Sequence, residues 1–415
     1  MNCWLPLLEG DRGGGFSDRL TILLKLQFTI SSPLIPLQRG KLINQNRSII
    51  NTTFSTSNNL TMKNKITFFI VFSLIFSSIN SFSQEIKLLD SIQIALPTIF
   101  IDLGETCTTP DAMAMNKEGE LFLTVPNPTS FQKNGSKIIK FDSNGKPIVW
   151  LDSLPLHPTS QRVHPMGIDF GPDGNLYFND NQGFAGIENQ SRLIRINIKK
   201  GKVVSTEILV EGMNFSNGLK WYKNNIYISD TYLKNNESGI YAFSLKDLNT
   251  KKIVLDSLNI NQHLICKFTL KKGFENGGGA DGLAFDSKGN LYTGNFGDGV
   301  ISKIEFSKDR KVVSQKVLVD SESLKCCDGF YYDKARNSIF IANFLFNSIH
   351  ILDLNKNTIC QIWKNKLSNG ENGLLDNPCE PIMYKGYLLV VNFGTKRIKE
   401  GDEIDKWNTI SKFKL

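Results

Sequence analysis

The chain is 415 residues long, carries a formal net charge of +8 and is 40% hydrophobic, enough apolar material for a sizeable buried core. Most of the positive excess lies at the N-terminus, because from residue 84 onward 40 Lys and Arg face 37 Asp and Glu, a net charge of +3. That part has no basic run and no aromatic-basic stripe, which argues against nucleic acid as a partner and against a polybasic membrane patch.

Along the chain, the first readable element begins at Met62. Lys63 and Lys65 precede an apolar run at residues 66–76 and a small-residue stretch at residues 77–83. Basic, apolar and small in that order is a secretory signal peptide. Ser81 and Ser83 occupy the positions before a cleavage site, so residues 62–83 are expected to be the signal and Gln84 the mature start. The apolar core is shorter than the roughly 18 residues that span a bilayer, so no membrane span is expected after cleavage. The protein is expected to be exported, periplasmic or extracellular. Residues 1–61 are polar and unpatterned, and are read as a non-native upstream extension or a disordered segment.

Beyond the signal, one pattern recurs six times: an opening residue that is polar in all copies but the second, usually a small residue after it, an alternating apolar strand, a turn and a second strand. The copies open at Asp111, Met166, Asn217, Asp281, Asp328 and Glu380, with spacings of 55, 51, 64, 47 and 52 residues. Turns of Gly, Asn, Asp and Lys between runs rich in Ile, Leu, Phe and Tyr mark antiparallel hairpins. Two further strand-like runs follow most hairpins, giving four strands per repeat. Repeated four-stranded units of this size predict an all-β fold, a six-bladed β-propeller over residues 84–415. The last repeat runs out of chain at its third strand. The segment IKLLDSIQIAL, residues 86–96, is expected to supply the missing strand and close the ring.

In a propeller the first strand of each repeat lines the central channel, which brings the six opening residues to one mouth. Five of the six are oxygen donors and none is Lys or Arg. Crowded carboxylates either rise in pKa or bind a cation, and hard oxygen donors without Cys or His favour Ca²⁺ over a transition metal. The competing explanation is that Asp-Gly and Asn-Gly only make the turn into each strand. Asp180, Asp230, Asn295, Asn343 and Asn392 recur at the end of the second strand and are read as turn caps. Six of the seven Cys follow residue 84, and an even number in an exported protein permits disulfides, with Cys327–Cys379 one pairing at the mouth. No CxxC pair occurs and the four His are scattered, which disfavours zinc.

The repeats FSNGLKW…NIYISDT and GGADGLAFDSKGNLYTGN resemble the senescence marker protein, gluconolactonase and luciferin-regenerating enzyme family, whose relatives include the paraoxonases and squid-type phosphotriesterase. The resemblance implies a six-bladed propeller with a divalent cation, commonly Ca²⁺, at the channel mouth. Asn217 matches the family's metal-binding Asn in its NGL-type motif, and Asp281 the metal-binding Asp of its DG-type motif. Asp111 stands where the family usually has Glu. Met166 stands where it often has Asn, and a thioether is no hard ligand.

Together these readings predict a Ca²⁺-dependent hydrolase of lactones or related esters, with Asp111, Asn217 and Asp281 holding the metal. Asp328, Glu380 and His164, two residues before Met166, are the candidates for the base. The protein is expected to act as a monomer on a small-molecule substrate. A non-catalytic exported propeller that binds a protein, glycan or small molecule is the second reading, since propellers host many functions. A cofactor-using sugar oxidoreductase is the third, although no CxxCH or other cofactor motif calls for it.

Overall fold

The computed structural model describes residues 86–256, 260–271, 278–394 and 407–415. The expected signal peptide and the segment upstream of it lie outside the described residues. Among the described residues there are six four-stranded antiparallel sheets, two of them extended by a short parallel edge strand, and the inner strand of each packs against the next, the sixth against the first, so that the blades close a ring. The inner strands are Met113–Met115, Pro165–Phe170, Ser216–Tyr222, Ala280–Phe285, Cys327–Asp333 and Pro378–Tyr384, in blades one to six. Helices among the described residues are single turns such as Phe131–Asn134 and Leu245–Leu248.

Strand alternation sends apolar side chains to both faces of each blade, and the core is therefore distributed over the seams between blades. Leu219, Ile226 and Ile228 of blade three meet Tyr177 and Leu193 of blade two. Phe340 and Ile349 of blade five meet Leu388, Val390 and Phe413 of blade six. Each such Leu, Ile or Phe contributes roughly 1.5–3 kcal/mol by leaving water, and no blade could hold its faces dry alone.

Ring closure follows the expected principle with a different segment. Thr98–Asp102 forms the outermost strand of blade six, antiparallel to Thr409–Phe413, with Thr98 opposite Lys412 and Asp102 opposite Thr409. The expected segment, residues 86–96, instead runs parallel along the outer strand of blade five, Thr358–Lys364. There the N–H groups of Leu89, Ile92 and Ile94 donate to the carbonyls of Ile359, Gln361 and Ile362. Sequence alternation could not separate the two, because either segment satisfies an open sheet edge. Similarly, Ile253–Val254 runs parallel along the outer strand of blade two.

The small residue after each opening position has a packing cause. A β-carbon on Gly167, Gly218 or Gly282 would fall within 3.0 Å of the backbone carbonyl oxygen of Asn217, Asp281 or Asp328, the opening residue of the next blade. None of these glycines has a positive φ, so close approach of neighbouring strands, and not a turn, requires them. We predict that Gly282→Ala destabilises the protein by about 1–3 kcal/mol, the usual cost of overpacking, read as a lower denaturation midpoint at unchanged slope. An unchanged midpoint would refute the packing explanation.

Candidate functional site at the channel mouth

Each inner strand carries the same irregularity. In blade three the register passes from Ser216 opposite Asp230 to Leu219 opposite Ile228, so Asn217 and Gly218 together face one residue. The same one-residue bulge falls between Pro165 and Ile168, Ala280 and Leu283, Cys327 and Phe330, and Pro378 and Pro381. In blade six it carries Cys379 and Glu380, so the expected opening residue is corrected by one position: Cys379 is in register with Asn217 and Asp281, and Glu380 follows it. In blade one, Asp111 N–H donates to the Thr124 carbonyl while Thr124 N–H donates to the Ala112 carbonyl. A bulge re-aims the side chain it carries. Hydroxyls fill two of the gaps, with Gly218 N–H donating to Ser229 Oγ at 2.8 Å and Ala112 N–H to Thr124 Oγ1 at 3.0 Å.

The result is one cavity on the axis, lined by Asp111, Asn217, Asp281, Asp328, Glu380, Cys379 and Lys220. Every metal ligand expected from the sequence, and two of the three expected bases, therefore share this cavity. The carboxyls perturb one another strongly. Burial first, and then the charges of Asp328 and Glu380, push Asp111 well above the usual carboxylate range. Burial and the charges of Asp328, Asp111 and Glu380 do the same to Asp281. Asp328 is pushed up to about 7 by burial and by Glu380. The Cys379 side chain acts the other way on Asp111 and Asp328, while its thiol donates to the Asn377 carbonyl at 3.7 Å. Asp281 Oδ2 is buried without a hydrogen-bond partner.

Lys220 is the functional residue that reading only the opening positions misses. The bulge alters the alternation, so that Lys220, three residues past Asn217, also faces the cavity. Its Nζ donates to Glu380 Oε1 at 3.1 Å. Burial opposes the ammonium, but Glu380 and Asp169 outweigh it and hold its pKa above the ordinary lysine value. Glu380 is raised by burial, with Lys220 acting against that rise.

His164 is placed elsewhere. It is fully buried away from the cavity lining, with Nδ1 3.2 Å from the Pro126 carbonyl oxygen and its ring edge-on to Phe131 and Phe184. Burial lowers its pKa, and it is a packed core histidine. The expected disulfides are corrected too. Cys107, Cys266, Cys327, Cys360 and Cys379 are free thiols. Cys327 turns into the seam with blade four, where its Sγ packs against Gly294, while Cys379 turns to the carboxyls. Burial and the surrounding carboxylates raise the Cys379 thiol far above its usual value, which leaves it a donor and not a nucleophile. Three of the second-strand residues cap turns as expected: Asp230 accepts from the N–H groups of Asn214 and Phe215 at 2.7 Å each, Asp180 from His164 N–H at 2.8 Å and Asn392 from Asp376 N–H at 3.0 Å. Asn295 and Asn343 do not, since the Oδ1 of each is buried without a hydrogen-bond partner.

Met166, the exception among the opening residues, joins an apolar cluster with Phe296, Phe344, Phe393, Cys326 and Cys379. Phe296 and Phe344 have ring centroids 6.0 Å apart, Phe344 and Phe393 5.8 Å. These Phe residues each follow the last residue of a second strand, Asn295, Asn343 or Asn392. The repeated Asn-Phe pair was the available signal for this collar, which sits beside the carboxyls and keeps them in a low-dielectric surrounding.

The donor set fits a hard cation in kind. The mouth offers carboxylates and the Asn217 amide, with one carboxylate oxygen unsatisfied. Among the described residues no three His, Cys, Asp or Glu side chains form a group that could hold a metal ion; the set expected from the sequence, Asp111, Asn217 and Asp281, has only two carboxylates and one amide, all lining the cavity.

Fold and mouth together define a six-bladed β-propeller with an acidic channel mouth. Residues 167–328 match the family model described as SMP-30/Gluconolactonase/LRE-like region, so the resemblance read from the repeats holds from blade two to the start of blade five. Among solved structures, a luciferin-regenerating enzyme aligns with a TM-score of 0.52 at 11% identity, over 77% of this chain and 95% of that one. A gluconolactonase from Xanthomonas campestris aligns with a TM-score of 0.51 at 11% identity, over 78% and 96%. Regucalcin from Agrobacterium tumefaciens, described as a calcium-binding protein, gives 0.51 at 11%, over 79% and 95%. At such identities the likeness is one of fold. No curated protein sequence matches the chain.

A carboxyl whose pKa is raised on folding binds its proton more tightly folded than unfolded. Its stabilising contribution is complete below the unfolded value and is lost as pH rises through the folded value. For Asp328 that window ends at about 7. We therefore predict that, in chelator, the melting temperature falls between about pH 5 and about pH 8, and that Asp281→Asn flattens the fall. A melting temperature that rises across this interval would contradict the clustered-carboxylate assignment.

Proposed function

We propose that the chain is an exported hydrolase of lactones or related esters, with Asp111, Asn217 and Asp281 holding a divalent cation, Ca²⁺ by the hardness of the donors. The observation that carries this reading is the convergence of four carboxyls on one cavity that a single ammonium faces. A bound divalent cation supplies Lewis-acid polarisation of a carbonyl oxygen. The match to the SMP-30/Gluconolactonase/LRE-like region supports the reaction class, and the segment at residues 62–83 supports export.

The chain's own groups supply the proton transfers. Asp328, which burial and Glu380 push up to about 7 in the cation-free mouth, suits a general base. It accepts a proton from the attacking water as the water oxygen bonds to the carbonyl carbon. It returns that proton to the alkoxide released when the ester C–O bond breaks, and the product is a hydroxy acid. Cys379, kept as a thiol, adds no charge beside the Asp328 carboxyl. The Phe collar limits bulk water beside the reacting carbonyl. Met166 in place of a donor favours the alternative of a non-catalytic small-molecule binder, and the test separates the two.

The test is hydrolysis of a panel of aliphatic and aryl lactones and esters, together with melting curves in Ca²⁺ and in chelator. Ca²⁺ at 100 times its dissociation constant should add about 2.7 kcal/mol to the folded state, and Asn217→Ala or Asp281→Ala should lose both this gain and turnover. Asp328→Asn should keep Ca²⁺ binding and lower kcat by roughly 10²–10⁴-fold. Ca²⁺ stabilisation without turnover on any substrate would favour the binder. Full turnover in Asp281→Ala would refute the site.

A further inference from the structure

Lys220 and Glu380 belong to the inner strands of blades three and six, which stand opposite one another in a six-membered ring. Their 3.1 Å ion pair therefore bridges the channel diameter. The side chains are 21% and 12% exposed, so water screens the pair only partly. Glu380 Oε2 lies over Gly329, where a β-carbon would collide with it, so this glycine leaves room for the bridging conformation. Asp169, from blade two, is the second anion acting on Lys220. No other Lys or Arg lines the cavity.

Glu380 stands one residue past the blade-six position equivalent to Asn217 and Asp281, which Cys379 occupies, but it lines the same cavity and has the longest reach of its carboxyls. Unrestrained, it would be the natural additional ligand for a cation at the mouth, and its oxygens would fill positions that a substrate carbonyl and water need. We infer that Lys220 is a positioning residue that withholds Glu380 from the cation by holding it across the channel, leaving three side-chain ligands and an open face. This inference rests on the cation reading of the mouth.

The experiment is calorimetric titration with Ca²⁺ of the wild-type protein, Lys220→Met, Glu380→Gln, the double variant and Lys220→Arg, with melting curves of the same proteins in chelator. Lys220→Met should bind Ca²⁺ roughly tenfold more tightly, because Glu380 is released to it, and should turn substrate over more slowly. In the Glu380→Gln background the same substitution should gain much less, and Lys220→Arg should behave as wild type. In chelator the double variant should melt above either single variant, since each single leaves one charge without its partner.

Unchanged or weaker affinity in Lys220→Met, or an equal gain in both backgrounds, would overturn the withholding role while the cation reading stands. No Ca²⁺ binding by wild type, with non-additive melting, would remove the cation reading and the withholding role together and leave the ion pair. Additive melting effects would overturn the pair itself.

Discussion

The backbone of each inner strand lies directly against the carbonyl of the next strand's opening residue, and the rest of the site depends on that contact. It demands a small residue where the strands touch, met by Gly167, Gly218 and Gly282 against Asn217, Asp281 and Asp328, and by Gly329 against Cys379. The bulge at the same two positions turns the opening side chain onto the axis. Six strands tied together in this way can only converge their opening residues. Where those residues are acidic, convergence sets like charges at close range in a poorly screened space. The pKa shifts of Asp111, Asp281 and Asp328 are thus a consequence of backbone packing as much as of the side chains.

The axis is chemically layered. The Phe296, Phe344 and Phe393 collar comes first, then the carboxyls with the Cys379 thiol, and then the bridge from Lys220 to Glu380. Each layer limits the next. The collar deepens the desolvation that raises the carboxyls, the neutral thiol adds no charge beside Asp111 and Asp328, and the bridge keeps one carboxylate occupied. A group poised near neutrality, Asp328, is what this balance leaves. A charged cavity between an apolar collar and a salt bridge suits a reaction that develops negative charge on oxygen in a nearly dry site.

The repeat count, the blade architecture and four oxygen-bearing opening residues were legible in the sequence, because period-two alternation recurs and an Asp-Gly or Asn-Gly pair marks three of the repeats; Glu380, followed by Pro381, lacked that pair and was read one position late. Lys220 was not. Simple alternation gives residues 217 and 220 opposite faces, and only the bulge reverses that. The collar escaped because its signal, Phe after Asn295, Asn343 and Asn392, lies one residue beyond positions already read as turn caps. The closing strand was shifted from residues 86–96 to Thr98–Asp102 because two edges compete for two similar apolar segments. His164 and Cys327 were misjudged because nearness in sequence to the mouth does not say whether a side chain turns to the axis or into a seam.

The central claim is that the converging carboxyls at the mouth form a cation site. It is tested most directly by anomalous X-ray scattering from crystals of residues 84–415 soaked in a heavier divalent or trivalent Ca²⁺ analogue. The account predicts one strong peak on the channel axis within ligating distance of Asp111, Asn217 and Asp281, with Glu380 still on Lys220. An empty axis at full occupancy of the soak, or a peak only at the outer surface, would contradict it.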